Sequence, residues 1–262
     1  MSDNPQIFPR FAGKTVLVTG AGTGFGAAIA HRAAQEGADV VVHYNRSREG
    51  AERTAAGIRE LGRTAHIVQA DIATWPAIEK LADEVFGLVG TLDVLVNNVG
   101  DFASETQGWQ DLTPESLDRV IDVDVKGTLV MTHVFGARML AQGHGSIVNI
   151  GSTVVVRGSA RAPQYAAAKY AILGITKSYA TAFAPAVRVN TFAPGFMETE
   201  ALKARADWKA GRREKLIAAT PMGRIPEPEV VAGTALFLAT EEADHITGSY
   251  LVADGGYNMI GA

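Results

Sequence analysis

Short apolar runs punctuate this chain at fairly regular intervals, and between them lie stretches with apolar residues at helical spacing. The runs fall at 14–19, 38–44, 65–70, 92–96, 146–151, 187–192 and 250–253. Each has strand length and is apolar enough to be buried, so each predicts a core strand. The segments between them predict helices over 27–36, 48–61, 75–89, 113–142, a stretch ending near 183, and 227–240. Gly37 and Gly62 close two of these helices, and Gly143-His144-Gly145 stops another. Thr113-Pro114-Glu115 opens the long one with Pro at the first helical position. Strict strand–helix alternation predicts an α/β fold, a doubly wound parallel sheet of about seven strands with helices on both faces. The alternation continues without a linker, so 1–262 reads as a single domain. Residues 1–12, with Pro5 and Pro9, read as a loosely held lead-in. Residues 197–220, charged and poor in β-formers, read as short mobile helices forming a lid.

Composition narrows the chemistry. With 47% hydrophobic and 20% charged residues, the 262-residue chain has ordinary globular composition and enough apolar material for a sizeable core. A formal charge of −4 gives no electrostatic case for nucleic acid or an anionic membrane. There is no Cys, which excludes disulfides, thiolate metal sites and a Cys nucleophile. The six His are scattered without metal-ligand spacing, so no metal is expected. The first residues lack the charged-then-apolar form of a signal peptide, and no apolar run reaches the ~18 residues of a spanning helix. A cytoplasmic protein is the expectation.

Between the first strand and the first helix stands Gly20-Ala-Gly22-Thr23-Gly24-Phe25-Gly26. Glycines here let a backbone approach a phosphate, and the helix N-terminus offers free N–H groups and a favourable dipole. The other reading is a tight turn, but strand, glycine cluster and helix in that order favour a Rossmann-type dinucleotide site. At the end of the second strand an acid would bond a ribose 2′-hydroxyl and repel a 2′-phosphate. This chain has Tyr44-Asn45-Arg46-Ser47-Arg48, with no acid before Glu49. The Arg46 fork and the Ser47 hydroxyl suit a phosphate, so NADP(H) is expected over NAD(H). Alternatively, Arg46 and Arg48 are solvated residues before the next helix.

Tyr165 and Lys169 lie four residues apart, on one face of a helix. A Lys ammonium beside a phenol favours the phenolate and lowers its pKa toward working pH, which suits a proton donor or acceptor. Ser152, just after the fifth strand, brings a hydroxyl to the same place.

Together these features resemble one family, the classical short-chain dehydrogenases/reductases. The matches are Thr19-Gly20-x-x-x-Gly24-x-Gly26, Asp71 after the third strand, Asn97-Asn98-x-Gly100, Ser152 thirteen residues before Tyr165, Tyr165-x-x-x-Lys169, Pro194-Gly195 and Thr199. They cover residues 12 to 257. The resemblance implies hydride transfer between nicotinamide and a carbonyl or secondary alcohol. Tyr165 would act as general acid/base, Ser152 would hold the substrate oxygen, and Lys169 would hold the nicotinamide ribose and tune Tyr165. It also implies that Asn98 lies near the cofactor ribose, that Asp71, followed by Ile72, meets the adenine, and that Thr199 meets the carboxamide. From the residues alone, Asp71 reads equally well as a cap after a strand, and Asn98 and Thr199 as turn residues.

Two positions depart from the family. Asp124 stands 28 residues before Ser152, where many members have Asn, thought to bind a water that links the Lys to solvent. An Asp also accepts from water, which would preserve a relay; its charge would stabilise the Lys cation and oppose the Tyr anion. Val99 stands where Ala is usual, a change expected to be tolerated.

The substrate pocket is expected from the loops after strands four to six: Asp101, Phe102, 154–156, Gln164, Phe196 and Met197, with the lid. Trp208 in the lid is equally a core or a pocket residue. A small to medium carbonyl compound or secondary alcohol is the expected substrate. The runner-up is a 3-oxoacyl-[acyl-carrier-protein] reductase. Two places where basic residues would dock an acidic carrier hold Gly143 and Ala184-Pro185-Ala186, leaving Arg138, Arg157 and Arg161 to substitute. A nucleotide-binding sensor or scaffold, impaired by Asp124, is a third reading. The family implies a homotetramer, or a dimer, packed through the two long helices and the last strand.

Overall fold

The computed structural model describes residues 8–100 and 108–259. The expected pocket residues Asp101 and Phe102 lie outside them. The strands are β1 (Thr15–Val18), β2 (Asp39–Tyr44), β3 (Ala65–Gln69), β4 (Val94–Asn97), β5 (Gly145–Ile150), β6 (Val187–Pro194) and β7 (Tyr250–Ala253). They form one seven-stranded sheet in the order β3-β2-β1-β4-β5-β6-β7, with every neighbouring pair parallel. The order reverses between β1 and β4, where a doubly wound sheet opens a crevice at its carboxyl edge.

The two sheet faces are buried by alternate residues of the same strands. Val16, Val18, Val40, Val42, Val94 and Val96 face a layer that includes Ile29 of α1 (Gly24–Gln35), Ile58 of α2 (Arg48–Glu60) and Leu236 of α10 (Pro228–Phe237). Leu17, Val41, Leu95, Ile147 and Val189 face the other layer. It takes Leu81 from α3 (Trp75–Val89), Phe135 from α5 (Thr128–Gln142) and Phe183 from α7 (Pro163–Phe183). Gly136 lets α5 and α7 close on each other: a Cβ there would lie 2.3 Å from the Phe183 ring.

The long helix expected over 113–142 is interrupted. Its first part is α4 (Pro114–Val120), capped by Thr113, whose Oγ1 accepts from the Ser116 N–H at 3.2 Å. A π-helical stretch, Ile121–Gly127, joins α4 to α5 and carries Asp124 inward. Such insertions recur at functional sites.

A second difference is α6 (Val154–Arg157), a helical turn in a Val-rich stretch. β5 has ended at Ile150, so no sheet partner remains to reward the β-branched residues. The lead-in is also firmer than expected at its described end. Arg10 makes a two-pronged pair with buried Glu36, 2.7 Å at each oxygen, and Phe11 is in the core. Within residues 197–220, the expected lid, lie α8 (Glu200–Lys203), a kinked turn at Trp208–Arg212 and α9 (Arg213–Ala219). Trp208 packs with Leu216 and Ile225 in a small core of its own, which resolves it as a packing residue. Among the described residues no helix is long and apolar enough to cross a membrane.

Candidate active site

The site is assembled at the carboxyl edge of β1, β4, β5 and β6. Thr19, just past β1, ties two strands together. Its Oγ1 accepts the N–H groups of Asn98 at 2.9 Å and Val99 at 3.2 Å, and donates to the Val96 carbonyl at 3.3 Å. The Asn98 side chain donates back to the Thr19 carbonyl at 2.9 Å. In this structure Asn98 therefore clamps the glycine turn from below.

The turn is also held from the side. The Gly20 N–H donates to Nδ1 of buried His43 at 3.2 Å, which leaves the other ring nitrogen to donate to the Ala70 carbonyl at 3.1 Å. Burial lowers the His43 pKa to about 4, against smaller upward effects of the Ala70 bond and Asp71, so the ring is neutral at pH 7. Sequence reading passed over His43. The available signal was an imidazole among the valines of an otherwise apolar run.

Two glycines in the turn are required by close approach. A Cβ on Gly22 would lie 2.5 Å from Ser47 Oγ, and one on Gly26 would lie 2.4 Å from the Gly20 carbonyl oxygen. Gly24 is different. Its φ is +55°, and a Cβ would meet only the Thr199 methyl, at 3.9 Å. Thr23 precedes α1 without capping it by its side chain, so the first N–H groups of the helix, including Phe25, lack that partner. The Phe25 side chain itself points into the core, with its ring centroid 6.1 Å from that of Phe192. An open cradle between Gly24 and Thr199, lined by uncapped N–H groups, fits a pyrophosphate.

At the end of β2, the Tyr44 hydroxyl donates to Gln69 Oε1 at 3.3 Å, and Gln69 Nε2 donates to the Asn45 carbonyl at 2.9 Å. Arg48 is engaged by Glu52 at 2.9 Å. Arg46 is exposed and makes no ion pair or hydrogen bond among the described residues. The structure thus separates two arginines that the sequence left equivalent. Asp71 Oδ1 accepts from the Ala73 N–H at 3.0 Å, a local turn, while Ile72 is buried against Gly127. Gly195 donates to the Ala253 carbonyl at 2.9 Å, extending the β6–β7 pairing past Pro194; its Cβ would lie 2.7 Å from that of Asp254. Thr199 caps α8, with Oγ1 accepting from the Leu202 N–H at 3.2 Å.

Ser152 follows β5 by two residues. Its Oγ accepts from the Val154 N–H at 3.2 Å, which leaves the hydroxyl proton to donate elsewhere. Its carbonyl accepts from the Tyr250 hydroxyl at 2.9 Å. Burial, with Asp254 and Tyr170 nearby, pushes Tyr250 up to about 12, so it stays a donor and anchors the Ser152 backbone. Tyr250 was legible only as a strand residue.

Tyr165 sits in the first turn of α7 and Lys169 one turn on, both buried. Lys169 Nζ lies 5.5 Å from the centre of the Tyr165 ring, 3.4 Å from the Ile150 carbonyl and 3.0 Å from Asp124 Oδ1. Gly100 presses against this pair: a Cβ there would lie 3.0 Å from Asp124 Oδ1 and 3.1 Å from Lys169 Nζ. Val99 beside it is partly buried against the core. The structure therefore gathers Ser152, Tyr165, Lys169, Asp124 and Gly100 at one edge of the sheet. The glycine turn, Asn98 and Thr199 lie next to them.

Comparison with known proteins agrees with this arrangement. The family model described as Enoyl-(Acyl carrier protein) reductase matches residues 20–258. The 2-dehydro-3-deoxy-D-gluconate 5-dehydrogenase of Bacillus subtilis is 35% identical over 246 residues, covering 94% of each chain. The 3-oxoacyl-[acyl-carrier-protein] reductase FabG of Staphylococcus aureus is 34% identical, covering 94% of this chain and 98% of its own. The crystal structure of a short-chain dehydrogenase from Burkholderia cenocepacia in complex with NADP superposes with a TM-score of 0.84. It is 35% identical, with 95% of this chain and 99% of that one covered. With the family model spanning most of its length, the chain belongs to the classical short-chain dehydrogenases/reductases, enzymes acting on CH–OH and C=O groups.

Proposed function

We propose that the protein is an NADP(H)-dependent oxidoreductase of a small carbonyl compound or secondary alcohol, with Tyr165 as general acid/base. The observation that carries the reading is the burial of Tyr165 and Lys169 one helical turn apart, at the sheet edge beside the open glycine cradle. When bound, a nicotinamide cofactor supplies or takes a hydride at the substrate carbon. Gly20, Thr23, Gly24, Phe25 and Gly26 would hold its pyrophosphate by backbone N–H groups. Tyr44 and Asn45 shape the adenosine end, where Arg46 and Ser47 would take a 2′-phosphate. Asp71 and Ile72 would border the adenine, Asn98, Val99 and Gly100 the ribose, and Pro194, Gly195 and Thr199 the nicotinamide. NADP(H) is favoured by the free Arg46 and by the NADP complex of the Burkholderia cenocepacia relative; NAD(H) remains an alternative cofactor.

In reduction, the Tyr165 hydroxyl gives a proton to the oxygen as it gains charge, and in oxidation the phenolate takes it. Ser152, free to donate from its hydroxyl, holds that oxygen. Lys169 has three donors. The Ile150 carbonyl takes one of them, and Asp124 lies at ion-pair distance from the same ammonium, which would present its remaining donors to a ribose hydroxyl. Asp124 acts through Lys169 as a positioning residue.

The acyl-carrier reading draws on the similarity to the Staphylococcus aureus enzyme. Against it, Arg138 is paired with Asp83, and Arg157 donates to the Tyr257 carbonyl at 3.1 Å and lies 5.7 Å from its ring centre. Arg138 and Arg157 are thus engaged within the chain. A homo-oligomer is supported by exposed Ile121, Leu129, Leu140 and Tyr170 on α5, α7 and the turn before α5. Exposed Val230 and Val252, on α10 and β7, offer a second face.

The test is NADPH oxidation against ketones, aldehydes and 3-oxoacyl thioesters, free and carrier-bound, with Tyr165→Phe alongside. Turnover on small carbonyls, abolished in Tyr165→Phe with NADPH still bound, is expected. Substantial residual activity in that variant would remove the proton-donor role, and selective turnover of carrier-bound substrate would promote the runner-up.

A further inference from the structure

Gln164, the residue before Tyr165, is only 4% exposed. Among the described residues neither its Oε1 nor its Nε2 has a hydrogen-bond partner. An amide carries two donor hydrogens and an acceptor oxygen, and leaving them unmet in a buried place is costly. Buried polar groups are overwhelmingly paired, and an exception needs a reason.

Position in the helix supplies one. Pro163 is the first residue of α7 and Gln164 the second. Helical side chains lean toward the N-terminus of their helix, so Gln164 leans past the start of α7. That end follows the loop after β5, at the carboxyl edge of a parallel sheet, where ligands of such sheets bind. The expected substrate loops, after β5 and β6, begin at the same edge.

We propose that the Gln164 amide is a specificity group of the substrate pocket, which selects a carbonyl compound bearing a hydroxyl close to the reacting carbon. The proposal rests on the reading of Tyr165 as the proton donor, which brings the substrate to the first turn of α7. A hydroxyl both accepts from Nε2 and donates to Oε1, which a carboxylate cannot do. A simple ketone leaves the amide unmet, and so is discriminated against by the lost pairing.

The experiment compares cyclohexanone with 2-hydroxycyclohexanone and 3-hydroxycyclohexanone at saturating NADPH, in the natural protein and in Gln164→Leu. The natural protein should prefer one hydroxyketone. In Gln164→Leu the KM for that hydroxyketone should rise about tenfold or more, with kcat less affected and cyclohexanone unchanged. The melting temperature should hold or rise, because an unmet amide has been removed. A fall in melting temperature, or equal loss on all three ketones, would make Gln164 a packing residue and overturn the proposal. Gln164→Met gives the same readout if Leu fits poorly.

Binding of the hydroxyketone to NADPH-loaded Tyr165→Phe, with and without Gln164→Leu, reads recognition without turnover. Weaker binding in the double variant supports the proposal even if no ketone is reduced, an outcome that would defeat only the functional reading. Equal binding overturns it.

Discussion

Lys169 and Asp124 form a buried ion pair, Nζ to Oδ1 3.0 Å, between α7 and the π-helical stretch that interrupts the long helix. The other charged residues of that stretch, Asp122 and Lys126, are partly exposed and pair with each other at 3.3 Å. Asp124 and Lys169 are therefore the buried charges that face Tyr165 from these two elements. The ammonium favours the tyrosinate and the carboxylate opposes it, so each offsets the other. Asp124→Asn keeps an acceptor for Lys169 and removes the negative charge. The limb of the alcohol-oxidation pH profile should move down, because the tyrosinate no longer meets a nearby negative charge. The limb of carbonyl reduction should move with it, because one group serves both directions. Profiles of kcat/KM at saturating cofactor check this; unmoved limbs in a folded, NADPH-binding variant would show that Tyr165 does not feel the carboxylate.

The same pair predicts a stability cycle. Lys169→Met leaves the Asp124 carboxylate buried without its ammonium, which should cost about 3–5 kcal/mol. Adding Asp124→Asn to Lys169→Met removes that charge and should recover most of the loss. Urea denaturation of the two single variants and the double variant measures the coupling. Additive losses would mean that the pair is not energetically linked.

His43 predicts how stability depends on pH. The unfolded chain takes a proton at this imidazole below about pH 6.5, whereas the folded chain takes it only near pH 4. Between those values protons favour unfolding. His43 therefore costs no stability above about pH 6.5 and costs progressively more as pH falls, about 3 kcal/mol by pH 4. His43→Asn keeps an acceptor for the Gly20 N–H and removes the titration. Its unfolding free energy should fall less steeply than that of the natural protein between pH 6.5 and 4. Parallel slopes would assign the acid sensitivity to other groups.

The sheet and its helices were legible because each strand run is short, apolar and bounded by glycine or a helical pattern. β7 and α3 have the bounds that the pattern predicted. What stayed illegible depended on pairing at a distance. The stretch 154–156 reads from sequence as loop after the fifth strand, whereas it forms the helical turn α6 once β5 has ended. Asp124 could be read as a departure from family Asn, but its direct contact with Lys169 depends on the π-helical turn, which no periodicity announced. His43 and Tyr250 act on Gly20 and Ser152, 23 and 98 residues away in sequence, so local pattern carried no sign of either bond. Glycine and tyrosine positions in the family motifs were readable because their chemistry is local.

Arg46 predicts cofactor choice. It is exposed and unpaired among the described residues, while Arg48 is held by Glu52. Arg46→Ala should weaken NADPH binding about 10–100-fold, the range of a charge-assisted hydrogen bond, and leave NADH little changed. Arg48→Ala should have a small effect on both. Titration of nucleotide fluorescence with the two variants checks the assignment, and equal weakening of NADPH and NADH would refute it.

Gly100 and Gly62 separate two uses of glycine. Gly62 closes α2 at φ +75° with nothing within 4 Å of a built Cβ, so Gly62→Ala meets backbone strain alone and should cost about 1–2 kcal/mol of stability without touching turnover. At Gly100 a methyl would press on both members of the Asp124–Lys169 pair, at 3.0 and 3.1 Å. Both partners are buried, and neither can retreat into solvent. Gly100→Ala should therefore displace the ammonium from its place beside Tyr165, and kcat/KM should fall at least tenfold while the sheet stays folded. The pH limb of that residual activity should also move, because the separation of Lys169, Asp124 and Tyr165 has changed. Circular dichroism with the pH–rate profile tests the claim: a folded Gly100→Ala with natural kcat/KM and an unmoved limb would show that the pair tolerates the methyl and that its spacing does not set catalysis.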